Sequence, residues 1–177
     1  MDRLTRDLPG GAVALALLAG CAGTSVASDR TGDADALLMA LDDEYKAEAT
    51  YVAVIDRFGE IRPFINIIEA ERRHAQRAKA EMDRLGVSYD AENPYLGKLS
   101  APESVLAACE QGVAAEIENI ALYDRILPTV EDESVLATLT DLQWASRERH
   151  LPAFERCVAR GGEQGRGRGR GQGRRPQ

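Results

Sequence analysis

Apolar side chains recur at helical spacing along four stretches of the chain, and glycine or proline residues bound these stretches. The first covers residues 33–58 and the second covers residues 63–85, with Gly59 and Gly86 directly after them. In the first stretch the apolar positions are Leu37, Leu41, Tyr45, Tyr51, Val52 and Ile55. Residues three, four and seven apart share one face of an α-helix, so the pattern predicts two helices that end at the glycines.

Two further helices are predicted in the second half of the chain. Ser100 and Glu103 have the spacing of a capping box, from which the third helix runs to about Leu127. The fourth covers residues 132–160 and contains Pro152, which should kink it because proline removes one backbone hydrogen bond. The pattern therefore predicts an all-α domain of four helices over residues 34–160.

The link between the second and third helices is much longer than the other two connections. Residues 87–101, VSYDAENPYLGKLSA, form about fifteen residues that can reach roughly 50 Å when extended. A helix of about 24 residues is only about 36 Å long, so the link can run the length of the bundle and leave these two helices parallel. One long crossover is typical of the ferritin-like four-helix bundle, whereas short loops throughout give an up-and-down bundle.

Composition and charge narrow the class of protein. Of the 177 residues, 44% are hydrophobic, 29% charged and 5% aromatic, which argues against an all-β fold. The net charge of −7 combines +4 at residues 161–177, zero at residues 1–20 and therefore −11 between them. An acidic body with a basic tail argues against a nucleic-acid partner and is compatible with a carboxylate-rich cation site.

The first twenty residues have the features of an export signal. Residues 8–20 are apolar but too few to span a bilayer as a helix. They lead into Leu-Ala-Gly-Cys at residues 18–21, which resembles the lipobox of bacterial lipoproteins. We predict a lipoprotein signal peptide at residues 1–20 and an exported protein held to the cell-envelope membrane by lipid on Cys21. An ordinary signal peptide with a chance cysteine is the alternative.

Low-complexity segments flank the predicted domain. Residues 21–33 are small and polar, which is typical of a flexible tether. Residues 161–177 are rich in glycine and arginine and predict a disordered tail.

An imperfect repeat relates the first helix to the third. Glu44 is followed by Tyr51 seven residues later, and Glu116 is followed in the same way by Tyr123. Seven residues make two helical turns, so each glutamate shares a face with its tyrosine. Repetition of a carboxylate and a phenol at this spacing predicts that both glutamates face the interior.

The second and fourth helices carry the only two histidines of the chain. The second contains Glu71-Arg-Arg-His74, the Glu-x-x-His spacing that projects two metal ligands from one helical face. The fourth contains Arg147-Glu-Arg-His150, which keeps the histidine but has arginine in place of the glutamate.

Together these motifs resemble the ferritin-like superfamily of the rubrerythrin sort, in particular a bacterial branch named domain of unknown function 2202. The segments DDEYKAEATYVAVIDRFG, FINIIEAERRHAQRAKAEMDRLGV and RERHLPAFERC carry the resemblance. It covers residues 34–160 and implies a ferritin-like four-helix bundle with a carboxylate and histidine metal site.

Carried over to this sequence, the implied metal ligands are Glu44, Glu71, His74, Glu116 and His150. Arg147 occupies the sixth position and cannot bind a metal, because guanidinium stays protonated. The remaining donors suit iron, manganese or zinc, with iron expected as one or two ions. The alternative is a metal-free site in which Arg147 pairs with Glu44 or Glu116 and replaces a metal electrostatically. Glu48, one turn after Glu44, is an alternative ligand.

Two functions remain open at this point. The resemblance implies an envelope protein that oxidises ferrous iron or reduces peroxide, with oxygen or peroxide as its small-molecule oxidant. The alternative is a metal-free, non-catalytic helical bundle with a binding or structural role in the cell envelope. Both are compatible with a homodimer, and whether the chain is an enzyme stays open.

Two cysteines form a separate pair. Cys109 lies seven residues before Glu116, and Cys157 lies seven residues after His150, so antiparallel third and fourth helices place both at one level. An exported protein meets an oxidising compartment, which favours a disulfide. Packed helix axes are usually about 8–10 Å apart, whereas the Cα atoms of a disulfide must lie about 4.4–6.8 Å apart. The two helices can therefore be too far apart for a disulfide, and two free thiols are the alternative.

Overall fold

The computed structural model describes residues 32–163, and the regular structure in this part of the chain is entirely helical. Its helices are α1 (Gly32–Phe58), α2 (Phe64–Leu85), α3 (Val105–Ile126), α4 (Glu133–Ala145) and α5 (Leu151–Ala159). A short 3-10 turn, Leu127–Thr129, follows α3, and a π-helical turn, Ser146–His150, joins α4 to α5 as one rod. The prediction of an all-α domain with four helical segments is confirmed.

The start of α1 differs from the predicted boundary. The helix starts at Gly32, one residue before the start predicted from the apolar pattern, so Gly32 and Asp33 belong to the helix and not to the tether. Asp33 is buried and accepts the backbone N–H groups of Glu131 and Asp132 at 2.8 and 3.0 Å, which ties α1 to the start of α4. The predicted signal peptide, Cys21 and most of the tether and tail lie outside the described residues.

Side-chain caps fix the starts of α3 and α4. Ser104 has extended backbone angles and accepts the N–H of Ala107 at 3.1 Å. The predicted capping box of Ser100 and Glu103 is therefore wrong, because Ser104 stands directly before the apolar run that the helix buries. Asp132 caps α4 in the same way, close to the predicted start.

The fourth helical segment is irregular one turn before the proline that was expected to kink it. In the π-helical turn the N–H of Leu151 bonds to the carbonyl of Ser146, five residues back. Pro152 has no N–H, and in a regular α-helix its ring collides with the carbonyl four residues earlier. The wider turn accommodates the proline by inserting one extra residue, and such turns are frequent at functional sites.

The long link between α2 and α3 follows α1. The Tyr45 hydroxyl donates to the carbonyl of Asp90 at 2.8 Å, and the Tyr95 hydroxyl donates to Asp42 at 2.6 Å. Farther along, Arg57 donates to the carbonyl of Ala101 at 3.2 Å, near the last turn of α1. The link thus runs from the first half of α1 to its end, and α3 begins there.

Two apolar clusters fill the interior and leave a polar layer between them. One joins the first half of α1 and α4 to the ends of α2 and α3, and includes Leu37, Leu41, Met82, Tyr123, Val135 and Leu139. The other joins the second half of α1 and α5 to the starts of α2 and α3, and includes Tyr51, Val54, Phe64, Cys109 and Phe154. Among residues 32–163, we find no helix that combines the length and the hydropathy needed to span a bilayer.

A disulfide connects α3 to α5 inside the second cluster. Cys109 and Cys157 are bonded, with their Cα atoms 5.9 Å apart, so the structure adopts the disulfide rather than two free thiols. Gly112 allows this close approach, because a Cβ there would lie 2.5 Å from the ring of Phe154.

Removing the disulfide is expected to lower the free energy of unfolding by about 2–4 kcal/mol, since the bond closes a long loop in the unfolded chain. The two cysteines are 48 residues apart in sequence. Urea denaturation of the chain with Cys109→Ala and Cys157→Ala measures the loss. Dithiothreitol should weaken the parent chain by a similar amount and leave the double variant unchanged. Equal stability of the parent with and without dithiothreitol would contradict the prediction.

Candidate metal centre

The five predicted ligand residues meet in the polar layer between the two apolar clusters. Glu44 comes from α1, Glu71 and His74 from α2, Glu116 from α3 and His150 from the π-helical turn, and all five are buried. They form two overlapping groups, one of Glu44, Glu71 and His74 and the other of Glu71, Glu116 and His150. Within each group the candidate ligand atoms lie within 4.8 Å of one another.

Glu71 is shared by the two groups through its two oxygens. Its Oε2 lies 3.1 Å from Nδ1 of His74, and its Oε1 lies 3.1 Å from Nδ1 of His150. Glu44 Oε2 is 3.4 Å from the same nitrogen of His74, and Glu116 Oε1 is 3.6 Å from that of His150. The two imidazole rings are stacked with centroids 5.5 Å apart. The centre is therefore two similar halves on either side of one carboxylate.

Two buried tyrosines position the outer carboxylates in a crossed arrangement. Tyr123 of α3 donates to Oε1 of Glu44 on α1, and Tyr51 of α1 donates to Oε1 of Glu116 on α3, each at 3.0 Å. Burial and the nearby carboxylates raise the pKa of both phenols well above the usual value, so both hydroxyls stay protonated donors. The repeat of glutamate and tyrosine in the sequence thus produces two reciprocal hydrogen bonds.

Burial and the mutual contacts set the protonation of the centre. Burial and the charge of Glu71 raise the pKa of Glu44, and burial likewise raises that of Glu116. Burial alone would also raise the pKa of Glu71, but the close contacts with His150 and His74 outweigh it and lower that pKa. Burial disfavours both imidazolium ions, yet their carboxylate partners raise the pKa of His74 to about 9 and that of His150 to about 10. Without metal, both histidines are therefore cationic at neutral pH.

The donor set fits a divalent transition metal. Nδ1 of His150 is buried and has no hydrogen-bond partner of good geometry among the described residues, although it faces Glu71 and Glu116. A nitrogen aimed at two carboxylates without a proper hydrogen bond is the arrangement of a metal ligand. Three carboxylates and two imidazoles suit iron, manganese or zinc.

Arg147 does not face the centre, and the prediction that it replaces a metal there is wrong. Its side chain is 48% exposed, and its guanidinium lies 3.4 Å from Asp124 at the surface. Ser146 is buried instead, and only 2% of it is exposed. Because the π-helical turn inserts one residue, the position one turn before His150 falls on Ser146, and Arg147 is turned outward. Sequence reasoning missed Ser146 because it assumed a regular α-helix.

Glu48, the alternative ligand, also lies away from the centre. Its carboxylate accepts from Arg72 at 2.8 Å and from Asn93 at 3.0 Å. It therefore connects α1 to α2 and to the long link on the outside of the bundle.

The comparisons with known proteins establish the fold alone. This chain is similar to a hypothetical protein of Methanococcus jannaschii DSM 2661, known from its crystal structure, with a TM-score of 0.66. The alignment covers 90% of this chain and 89% of that one at 18% sequence identity. No protein-family model and no curated protein matches this chain. The function is therefore argued from the geometry of the centre.

A cavity between α1 and α3 leads to the carboxylate side of the centre. It has a volume of about 150 Å³, and Tyr51, Glu71, Glu116 and Ser146 contribute to its wall. Ser146 thus leaves open space where a regular Glu-x-x-His helix would place a fourth carboxylate. This space can admit a few small molecules of the size of water or dioxygen.

Metal affinity should rise steeply with pH, because metal must displace protons from His74 and His150. Their pKa values of about 9 and about 10 mean that both lose a proton on binding near neutral pH. Because each ion displaces one of these protons, its affinity should rise roughly tenfold per pH unit below about pH 9, and the combined constant for two ions roughly 100-fold. Competition titrations with a chelator across this range measure the slope, and a flat profile contradicts it.

The stability of the metal-free protein should change with pH in the opposite direction. A histidine whose pKa is raised stabilises the fold below its ordinary value of 6.5, and this contribution is lost as pH rises through about 9 to about 10. The free energy of unfolding of chelator-treated protein, measured with urea, should therefore fall as pH rises from about 6.5 to about 10.

Proposed function

We propose that the chain holds a dinuclear metal centre of the ferritin-like type. The observation that carries this proposal is the position of Glu71, with one oxygen toward each imidazole at 3.1 Å. Glu44 and His74 would complete the first half, and Glu116 and His150 the second. We infer iron as the metal, since mixed carboxylate and imidazole ligands suit it.

The ferritin-like topology is part of the same proposal. Its support is the link that follows α1 from the region of Asp42 to Arg57, and a ligand set drawn from all four helical segments. Such a link makes α2 and α3 run in the same direction, as one long crossover requires.

The proposed activity is oxidation of ferrous iron by oxygen, or reduction of peroxide. Bound iron would supply the electrons. The chain contributes a buried polar layer between two apolar clusters, carboxylates that Tyr51 and Tyr123 hold in place, and a cavity beside Glu116 and Ser146 that admits a small oxidant. Its small volume favours oxygen or peroxide over a larger organic substrate.

Elemental analysis of purified protein, followed by titration with iron(II) and measurement of oxygen or peroxide consumption, tests the proposal. We expect binding of up to two ions per chain and oxidant consumption in proportion to bound iron. Absence of bound metal after titration would contradict the metal centre. Metal binding without any oxidation would contradict the proposed activity.

One observation favours a second candidate, a metal-free bundle. In the metal-free state His74 and His150 carry two positive charges beside the three carboxyl groups of Glu44, Glu71 and Glu116, so two carboxylates are paired without any metal. The raised pKa values of Glu44 and Glu116 favour a proton on the third. The arginine of the original alternative is not needed for this. A protein that folds stably without metal and binds none under the titration above would support this second candidate.

We further propose that the protein is exported and lipid-anchored through Cys21. The supporting observations are the lipobox-like sequence at residues 18–21 and the disulfide between Cys109 and Cys157, which is typical of exported proteins. Mass spectrometry of the protein from a membrane fraction should find an acylated Cys21 as the first residue. A soluble protein that retains residues 1–20 would contradict the anchor.

A further inference from the structure

The Arg-His pair repeats in the two histidine motifs, and the metal centre does not use its arginines. Arg73 directly precedes His74 on α2, and Arg149 directly precedes His150 in the π-helical turn. Both arginines are exposed, and neither forms an ion pair with any residue between 32 and 163. Most arginines of α2 differ in this respect, since Arg72, Arg77 and Arg84 all pair with carboxylates.

The two Arg-His pairs line one groove, which shares no lining residue with the carboxylate cavity. This Arg-His groove lies between α2 and the π-helical turn and has a volume of about 540 Å³. Its wall includes Asn66, Arg73, His74, Arg149 and His150, and the other wall residues are apolar. The groove therefore has two guanidinium groups and no carboxylate in its wall, although the chain carries a net charge of −7.

Both imidazole rings expose a donor on the side of this groove. Each ring turns Nδ1 toward the carboxylates, so Nε2 lies on the far side. Neither Nε2 has a hydrogen-bond partner within the described part of the chain, and neither is fully enclosed. When Nδ1 binds a metal, the ring proton resides on Nε2, which normally donates to a carboxylate, a carbonyl or water. Among the described residues, the groove wall contains no carboxylate, and the only side-chain acceptor in it is the amide of Asn66, which no hydrogen bond joins to either ring.

We propose that the Arg-His groove binds a small oxyanion of the phosphate type. The anion would accept from the guanidinium groups of Arg73 and Arg149 and from the Nε2–H groups of His74 and His150. The paired N–H donors of a guanidinium group match the geometry of tetrahedral and planar oxyanions. Neither the two arginines nor the two Nε2 atoms have an anionic partner among the described residues, and a bound oxyanion would supply one to all four groups. Arg149 also stacks on Trp144, with the guanidinium 5.1 Å from the ring centroid.

The bound oxyanion would also affect the metal centre, through the Nε2 atoms of the two histidine ligands. An acceptor on Nε2 makes an imidazole a stronger metal ligand and fixes its orientation, as the outer partners of metal-bound histidines do. The groove would thus connect the concentration of phosphate to metal affinity. Anion binding itself requires no metal, so it is independent of the proposed function.

Phosphate titration of chelator-treated full-length protein tests the groove directly. Isothermal titration calorimetry measures the affinity, and NMR follows the ring C–H signals of the only two histidines in the chain. We expect saturable binding that shifts both histidine signals together. Arg73→Gln with Arg149→Gln should weaken binding at least about tenfold, as expected for loss of two charge-assisted contacts. Glycerol phosphate and sulfate in separate titrations show whether an ester or another oxyanion is preferred.

The matched control is Arg156→Gln, an exposed arginine of α5 that lies outside the groove and removes an equal charge. It should leave the affinity for phosphate unchanged. Equal weakening by Arg156→Gln, or phosphate binding that persists in the double variant, would overturn the proposal. Histidine signals that do not move would also overturn it. Phosphate binding without any metal binding would refute the proposed function and leave this groove intact.

Discussion

Glu71→Gln is expected to weaken binding of both metal ions strongly, whereas Glu44→Gln should weaken binding of only one. Glu71 gives one oxygen to each half of the centre, while Glu44 contacts only the half that contains His74. Glutamine has a similar volume but only one ligand oxygen and no charge. We expect both ions to bind roughly 100-fold or more weakly in Glu71→Gln, since even outer partners of metal ligands are worth 10- to 100-fold.

Metal stoichiometry by equilibrium dialysis and elemental analysis separates these outcomes. Glu69→Gln is the matched control, because Glu69 lies two residues earlier on α2, is exposed and contacts only Arg72 among the charged residues described. It should bind metal like the parent chain. Circular dichroism verifies that each variant is folded. Retention of one tightly bound ion in Glu71→Gln would show that the carboxylate is not shared.

The resemblance implies the set of five ligands, and regular helical spacing supports four of them, Glu44, Glu71, His74 and Glu116. His74 follows Glu71 by three residues on α2, and the glutamates of α1 and α3 each precede a tyrosine by seven. In a regular α-helix these intervals place the side chains on one face, independently of how the helix packs against the rest of the protein. The structure places all five predicted ligands in one layer, with Tyr51 and Tyr123 bonded to the glutamates.

The parts that sequence reasoning missed depend on departures from that regularity. Arg147 was assigned to the centre on the assumption of an unbroken α-helix, but a π-helical turn shifts the register by one residue. Pro152 is the available signal, but a predicted kink does not by itself indicate which side chain of the preceding turn faces inward. Glu48 was misjudged because its partner Arg72 lies on another helix, which spacing within α1 does not indicate.

The register shift predicts that Ser146→Glu, rather than Arg147→Glu, strengthens the centre. Ser146 lies in the wall of the cavity beside Glu71 and Glu116, so a glutamate there would point a fourth carboxylate at the second half of the centre. The cavity of about 150 Å³ leaves room for the three additional heavy atoms. An added anionic ligand should tighten binding of the second ion by roughly 100- to 1,000-fold, since the number of charged ligands sets cation affinity.

Without metal, Ser146→Glu should lower the free energy of unfolding. Because the substitution is expected to strengthen metal binding but to destabilise the metal-free protein, the two effects together make the test specific. A fourth buried carboxylate has only two imidazolium ions near it, so without metal its charge is uncompensated and burial destabilises the protein. Chelator-treated Ser146→Glu should therefore unfold at a lower urea concentration than the parent, and metal should raise its midpoint by more. Arg147→Glu changes an exposed residue and should leave both metal affinity and the metal-induced shift unaltered. If Arg147→Glu instead gains the second ion, the fourth helical segment is regular in solution and arginine is the residue that blocks the centre.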